Sequence, residues 1–354
     1  MKKIAILNDT HCGIRNSSEI FLKNSQDFYE NIFFPECEKR GIKHILHLGD
    51  YYDHRKFINF KALNHNRKHF LNQLRERGMT MDIIPGNHDT YFKNTNDLNS
   101  LKECLGHYMN EIHIVMEPTV MEYGSLKIAL LPWICQDNYE SSMKFIKDCK
   151  ADWCGAHLEL SGFELMRGVE NKHGMSHKLF DKFELVLTGH FHCSSKKENI
   201  WYLGSQMEFF WSDAGDPKYF HIVDTETREI ERIRNTYTLF EKLVYNDEKI
   251  DYNGYDFKHL DKKFVKVVVV NKSDLYSFDR FIDNIQNQDI YELKIAENFN
   301  EFLGENVDDD GLQIEDTSQL VDDYIDAVDT DLDKDKIKIN MRELMVEAQA
   351  LEIA

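Results

Sequence analysis

Long apolar runs are missing from this chain. Nowhere do about 18 uninterrupted hydrophobic residues occur, which excludes a helix that crosses a membrane. The opening Met-Lys-Lys-Ile-Ala-Ile-Leu passes straight into Asn8-Asp9 with no apolar signal region or small-residue cleavage site, so secretion is not expected. Paired cysteines are missing too. The seven cysteines (Cys12, Cys37, Cys104, Cys135, Cys149, Cys154 and Cys193) are odd in number and none stands in a Cys-x-x-Cys pair. Such usage suits free thiols in a reducing compartment, and the expected location is the cytoplasm. Basic charge is also short: 43 Lys+Arg face 62 Asp+Glu, for a net charge of −19. That balance is awkward for an enzyme of nucleic acid, because Lys and Arg contacts to phosphate supply most non-specific affinity. The deficit is local, however. Residues 301–354 hold 17 acidic and 4 basic side chains, which leaves only −6 over the first 300. Carboxylates also serve as metal ligands, and a bound divalent cation reverses the field an anionic substrate meets. Charge therefore neither demands nor excludes DNA.

What is present is enough for a large folded body. With 354 residues of which 42% are hydrophobic, one catalytic domain with smaller appendages is expected, and global disorder is not. Short apolar runs at Lys3–Leu7, His44–Leu48 and Met81–Ile84 read as buried strands. Helical spacing fills roughly Glu19–Arg40 and Phe60–Arg77 between them, the first preceded by Asn16-Ser17-Ser18 and ended at Gly41. This βαβαβ opening predicts an α/β domain with a parallel or mixed sheet covered by helices. Further strands are expected at Ile112–Val115, Leu126–Leu131, Trp153–Gly155 and Leu185–Thr188. Past Gly189 come Ile200–Leu203, Tyr219–Val223 and Ile230–Ile233, where antiparallel pairing is expected. A small α+β unit starts near 240, with strands at Phe264–Val270 and Ile290–Ala296 around a helix capped by Ser273-Asp274. The acidic stretch 305–316 reads as a solvated linker, and 317–354 as two short amphipathic helices.

Five motifs follow β-runs in order: Asp9-x-His11, Gly49-Asp50-x-x-Asp53, Gly86-Asn87-His88-Asp89, His157, and Gly189-His190-x-His192. In an α/β sheet the carboxyl ends of the strands deliver their loops to one rim, so these residues should converge. A mixed oxygen and imidazole set suits two borderline-hard divalent ions, manganese first and magnesium second, better than a thiolate-loving metal. Asp50 is the natural bridge. Two ions sharing one carboxylate can share a hydroxide and hold phosphate oxygens during in-line attack. Taken singly, an Asp-x-His is more often a turn, and Gly86-Asn87 could serve only as a positive-φ corner.

The ordered set resembles the calcineurin-like metallophosphoesterase superfamily over about residues 1–235. That resemblance implies a β-sandwich flanked by helices. It places Asp9, His11, Asp50 and His192 on one metal and Asp50, Asn87, His157 and His190 on the other. It leaves His88 as the histidine that contacts the scissile phosphate and helps the leaving group depart. Asp53 is then a supporting carboxylate that orients His88 or a ligand. One departure is Gly155-Ala156-His157, where many relatives have Gly-His. Within the superfamily, Gly49-Asp-Tyr-Tyr-Asp-His-Arg55 and Leu131-Pro-Trp133 look like the SbcD-type repair nucleases, those of T-even-type bacteriophages among them. The implied organisation is a nuclease domain at 1–239 and a capping domain at 240–304 that contacts DNA. The linker at 305–316 then leads to a helical segment at 317–354 that docks on the coiled coil of an SbcC-type ATPase. The implied activity is exonuclease on duplex ends and endonuclease on single strands, in a homodimer within a heterotetramer. A phosphatase or small-molecule phosphodiesterase on the same core, or a non-catalytic DNA scaffold, remain the competing readings.

Other features read more plainly. His44 and His47 are expected to be structural, and Lys172, Lys178, Lys196, Lys197 and Arg167 a solvated face able to follow a phosphate backbone. His173 and His177 are expected in a solvated loop. Tyr51, Tyr52, Phe209, Phe210 and Trp211 lie near the motifs, either in the core or stacking on unpaired bases.

Overall fold

The computed structural model describes residues 2–166, 169–172 and 174–296, together with Lys334, Lys336 and Lys338. The strands, in chain order, begin with β1 (Lys3–Leu7), β2 (His44–His47), β3 (Thr80–Ile83) and β4 (Ile112–Ile114). Next come β5 (Thr119–Tyr123), β6 (Leu126–Leu131), β7 (Trp153–His157) and the short pair β8 (Glu164–Met166) and β9 (Val169–Glu170). β10 (Leu185–Gly189), β11 (Ser195–Lys197), β12 (Ile200–Tyr202), β13 (Tyr219–Asp224) and β14 (Ile230–Arg234) follow, then β15 (Phe240–Asn246), β16 (Phe264–Asn271) and β17 (Glu292–Ala296).

Two six-stranded mixed sheets carry the fold. One has the order β14-β13-β1-β2-β3-β4, and the other β11-β12-β10-β7-β6-β5. Side-chain alternation along β1 explains why two sheets stack and helices cover them. Ile4 and Ile6 join an apolar core with Leu46, Leu48, Ile128, Leu130 and Leu187, residues of both sheets. Ala5 and Leu7 point the other way, into a core with Phe28, Phe33, Phe70 and Leu74 from the covering helices. A third core lies on the far face of the second sheet, where Ala129, Leu131, Cys154 and Val186 pack with Ile146 of the helix Tyr139–Asp148. The architecture is thus the helix-flanked β-sandwich that was expected.

Both long helical runs are present with a local widening: Glu19–Lys39 carries a π turn at Tyr29–Phe33, and Phe60–Arg77 one at Arg67–Leu71. Asn59 caps the second by accepting from the Lys61 amide at 2.8 Å. Ser18 sits at the start of the first without a side-chain cap, and Arg15, Asn16 and Ser17 before it are left-handed. Antiparallel pairing past Gly189 holds for β13 with β14, whereas β12 runs parallel to β10.

By compactness the chain divides into one unit of residues 1–242, 254–266 and 281–293 and a second of 243–253, 267–280 and 294–354. The strands β15, β16 and β17 form a separate three-stranded sheet. The linker at 305–316 lies outside the described residues, as do residues 297–304 of the expected cap and, apart from Lys334, Lys336 and Lys338, the helices at 317–354. No helix among the described residues is long and apolar enough to cross a membrane.

Candidate active site

β1, β2 and β3 run parallel in the first sheet, as do β7 and β10 in the second. Asp9 and His11 follow β1, Asp50 and Asp53 follow β2, Asn87 and His88 follow β3, His157 closes β7, and His190 and His192 follow β10. All nine sequence-selected residues therefore sit at carboxyl ends of parallel strands. The loops are tied by main-chain bonds: Asp9 N donates to Gly49 O at 2.9 Å, His11 N to Asp50 O at 3.1 Å, and Cys12 N to Tyr51 O at 2.8 Å. Close approach of strand ends demands glycine. A Cβ on Gly49, whose φ is +89°, would lie 2.7 Å from His157 Nδ1, and one on Gly86 would run into the Asp50 carboxylate.

Backbone strain concentrates on the same rim. Asp9, His11, Asp50 and His190 all adopt positive φ, at 46°, 40°, 54° and 92°. Such conformations cost non-glycine residues free energy and persist where surrounding contacts over-determine them. Here Asp9 accepts from the His190 amide at 3.0 Å and from Asn8 Nδ2, while Asp50 Oδ1 accepts from the His88 amide at 2.8 Å.

The side chains form two groups whose ligand atoms lie within 4.8 Å of one another: Asp9, His11 and His192, and Asp50, His157 and His190. His157 donates from Nδ1 to the Leu48 carbonyl at 2.8 Å, which turns its Nε2 toward Asp50 Oδ2 at 3.2 Å and Asn87 Oδ1 at 3.0 Å. Asn87 Oδ1 also meets His190 Nδ1 at 3.0 Å. His11 Nε2 faces His192 Nε2 at 3.1 Å, and His11 Nδ1 meets Asp53 Oδ1 at 3.2 Å. A buried imidazole lone pair aimed at two oxygen acceptors is repulsive unless a proton or a cation lies between them. This donor set therefore fits divalent cations, and Asp50 of the second group faces the first: its Oδ2 is 3.8 Å from His11 Nε2.

The electrostatics agree. Burial opposes charge on His157, yet the Asp50 carboxylate overrides it and raises the ring to about 9. His11 reaches about 9 against the same burial through its bond to Asp53 and the charge on Asp50. Burial holds His192 near 3 and His190 well below its usual value. The carboxylates of Asp50 and Asp53 thus raise the basicity of the two rings nearest them.

His88 belongs to neither of these groups but shares a third with His11 and Asp53, their ligand atoms also within 4.8 Å of one another. Its Nδ1 donates to the Asp53 main-chain carbonyl at 2.5 Å, and its ring meets His11 edge-on at 4.8 Å. Burial lowers its basicity, and the charge on Asp50 partly offsets that. Asp53 consequently supports two residues by different atoms: its carboxylate holds His11, its backbone holds His88.

Several contributors escaped the sequence reading. Asp89 is fully buried and accepts from the amides of Tyr51, Tyr52 and Gly86 at 3.0, 3.1 and 2.9 Å, stapling the β2 and β3 loops. Its place in the Gly-Asn-His-Asp motif was the available signal. Gln206 accepts from Asn8 N and donates to the Asp9 carbonyl, with no motif to announce it. Trp133 lies 5.4 Å from the His190 ring and 5.9 Å from His157. The stacking alternative fails for Tyr51, Tyr52, Phe209 and Trp211, which are buried; Phe210, half-buried, lies parallel to the His192 ring. His44 bonds Asp82 at 2.8 Å and His47 meets the Thr10 hydroxyl at 3.1 Å, both as structural residues. Lys172, Lys178, Lys196 and Lys197 are exposed, while Arg167 and His173 lie outside the described residues.

The sequence model of the family described as Calcineurin-like phosphoesterase matches residues 2–194, a span that ends just after the last motif. Exonuclease subunit 1 of Enterobacteria phage T4 is 29% identical over 349 residues, covering 98% of this chain and 99% of its own. Among solved structures, an archaeal phosphodiesterase aligns with TM-score 0.33 and 17% identity, over 66% of this chain and 99% of its own. The purple acid phosphatase PPD1 of yellow lupin (Lupinus luteus) aligns with TM-score 0.37 and 12% identity, over 65% and 52%. Those two scores are too low to bear on this chain's chemistry.

Proposed function

Because the chain belongs to the calcineurin-like phosphoesterase family, whose members use divalent metals, we propose that it is a DNA nuclease working with two such ions. The observation that carries this reading is the pair of three-residue groups, fed by four parallel strand ends from both sheets, with Asp50 Oδ2 of one group 3.8 Å from His11 Nε2 of the other. Asp9, His11, Asp50 and His192 would hold one ion, and Asp50, Asn87, His157 and His190 the other, with manganese the best match for this mixed donor set. When bound, two such ions polarise phosphoryl oxygens and lower the pKa of water enough to make it a nucleophile. The chain's own residues do the rest. His88 is fixed through Nδ1, so its Nε2 carries a proton only in the imidazolium form, and in that form it would hand the proton to the leaving oxygen and return as the neutral ring. The Leu48 carbonyl fixes the tautomer of His157, and the Asp53 carboxylate, 3.2 Å from His11 Nδ1, orients that ring, so that each presents its Nε2 inward.

DNA as the substrate is supported by the nearly full-length likeness to an exonuclease subunit. The same likeness supports membership in a complex. The proposed partner is an SbcC-type coiled-coil ATPase docked by residues 317–354, with 240–304 as a DNA-contacting cap and a homodimer at the centre. Exonuclease action on duplex ends, endonuclease action on single strands, and host cytoplasm as the setting complete the proposal.

The test is cleavage of end-labelled single- and double-stranded DNA with manganese, magnesium or chelator, comparing wild type with His88→Leu. Manganese-dependent cutting that disappears in a variant of unchanged metal content is the expected result. Turnover of a nucleotide monoester with DNA left intact would point to a phosphatase on the same core instead.

A further inference from the structure

Behind the His11 and His192 rings lies a buried ionic knot. Lys218, 3% exposed, donates from Nζ to Asp213 Oδ1 at 2.7 Å, to Asp216 Oδ2 at 3.0 Å and to the His192 main-chain carbonyl at 2.9 Å. Cys193, Asp213 and Asp216 bring their ligand atoms within 4.8 Å of one another, the spacing of a cation site. The Lys218 ammonium already fills it. The second oxygen of Asp213 accepts from the amides of Phe209 and Phe210 at 2.8 and 3.0 Å. Those two residues form the wall of the site: Phe210 lies parallel to His192 at 5.8 Å and 6°, and Phe209 meets His11 and His192 edge-on, each at 5.4 Å. Arg15 clamps the wall from outside, donating to the Phe209 carbonyl at 3.2 Å with its guanidinium 4.9 Å over the Phe210 ring.

We propose that Asp213 and Lys218 are positioning residues for the metal held by His11 and His192. An ion between two imidazoles needs both rings at fixed angles, and loss of outer support of this kind typically costs about 10–100-fold in metal affinity. His192 is held at its carbonyl by Lys218 and at its ring by Phe210, and both restraints lead to the one carboxylate of Asp213. A buried ion pair is weak evidence for stability, since desolvation cancels much of the attraction. Its use here is geometric: it converts the orientation of one ligand into a property of the core. This inference rests on the proposed ligand role of His11 and His192.

Lys218→Met would strand a buried carboxylate and endanger the fold, so the informative variant is the neutral pair Asp213→Asn with Lys218→Gln in the full chain. Manganese is titrated by calorimetry into wild type, this double variant and Phe210→Leu, with electron paramagnetic resonance at each ratio. In the double variant, one of two manganese affinities should fall about 10–100-fold. The spin-coupled signature of neighbouring ions should give way to that of isolated ones at stoichiometric metal. A folded double variant with both affinities unchanged would overturn the proposal. If it does not fold, Phe210→Leu decides, because the ring against His192 is lost, with its contacts to Arg15 and Phe209, while the ionic knot stays: several-fold weaker binding of the same ion supports the proposal and unchanged binding overturns it. Wild type that binds fewer than two ions would sink the two-ion reading itself, and this inference with it. Two ions in wild type with unmoved variants would sink this inference alone.

Discussion

Asp53 offers a separation that few residues allow, since its side chain serves one histidine and its main chain another. Asp53→Ala removes the carboxylate at 3.2 Å from His11 Nδ1 and leaves the carbonyl on His88 Nδ1 in place. With nothing to hold the Nδ1 proton, His11 loses its preferred tautomer and its fixed angle. Removing a group of this kind weakens metal binding by about 10–100-fold, or roughly 1.4–2.8 kcal/mol. The fold should survive, because the carboxylate lies at the rim, with 19% of the Asp53 side chain exposed. Manganese affinity by calorimetry and the pH profile of kcat at saturating manganese give the two readouts. The expected outcome is a weaker ion whose loss is repaired by excess metal, with the alkaline limb, where His88 loses the proton it donates, unmoved. Unchanged affinity together with a kcat that stays low at saturating metal would refute the division of labour.

Three further outcomes follow from named contacts. Asp89→Asn keeps one acceptor oxygen but points an amide N–H at the Gly86 N–H now bonded at 2.9 Å, so unfolding free energy should drop by about 2 kcal/mol. A denaturant midpoint equal to wild type would show that the staple is dispensable. Glu208 is buried and accepts from the amides of Leu239 and Phe240 at 2.6 and 2.9 Å, and burial pushes it up to about 7. A raised carboxyl favours the folded state while protonated, so its contribution is complete below about 4.5 and is lost as pH rises through about 7. Glu208→Gln should therefore melt like wild type near pH 4.5 and above it at pH 8; parallel melting curves across that range would contradict the shift. Finally, Trp133→Ala exposes the ring faces of His190 and His157 to water and should weaken manganese binding several-fold without unfolding the chain, as calorimetry and circular dichroism would report.

The legible part of this molecule was its punctuation. Each ligand follows a short apolar β-run, and a run that ends in Gly-Asp or Gly-Asn-His-Asp declares both a strand end and a loop that must turn sharply. That sufficed to select all nine residues gathered at the rim and to expect a parallel or mixed sheet covered by helices; the sandwich was implied by the family resemblance. Elements with weak burial contrast were not legible. β5 is mostly half-buried, and the helix Tyr139–Asp148 buries only Ser142 and Ile146, so neither writes a clear period into the sequence. The wall of the site was hidden for another reason. Asp213 and Lys218 look like surface residues of a Gly-Asp-Pro loop, because nothing local reveals that two opposite charges will be buried together. Tyr51 and Tyr52 were left between core and stacking platform, and packing took them into the core.

The two halves of the site come from different sheets and from opposite ends of the nuclease region. Asp9, His11, Asp50, Asn87 and His88 belong to loops of the first sheet, complete within the first 90 residues, while His157, His190 and His192 belong to the second. Domains fold as units while their amino-terminal parts leave the ribosome first. An unfinished chain thus displays the residues of the first sheet without His157, His190 and His192. On the proposed reading, neither ion's set of holders is whole until the second sheet has formed.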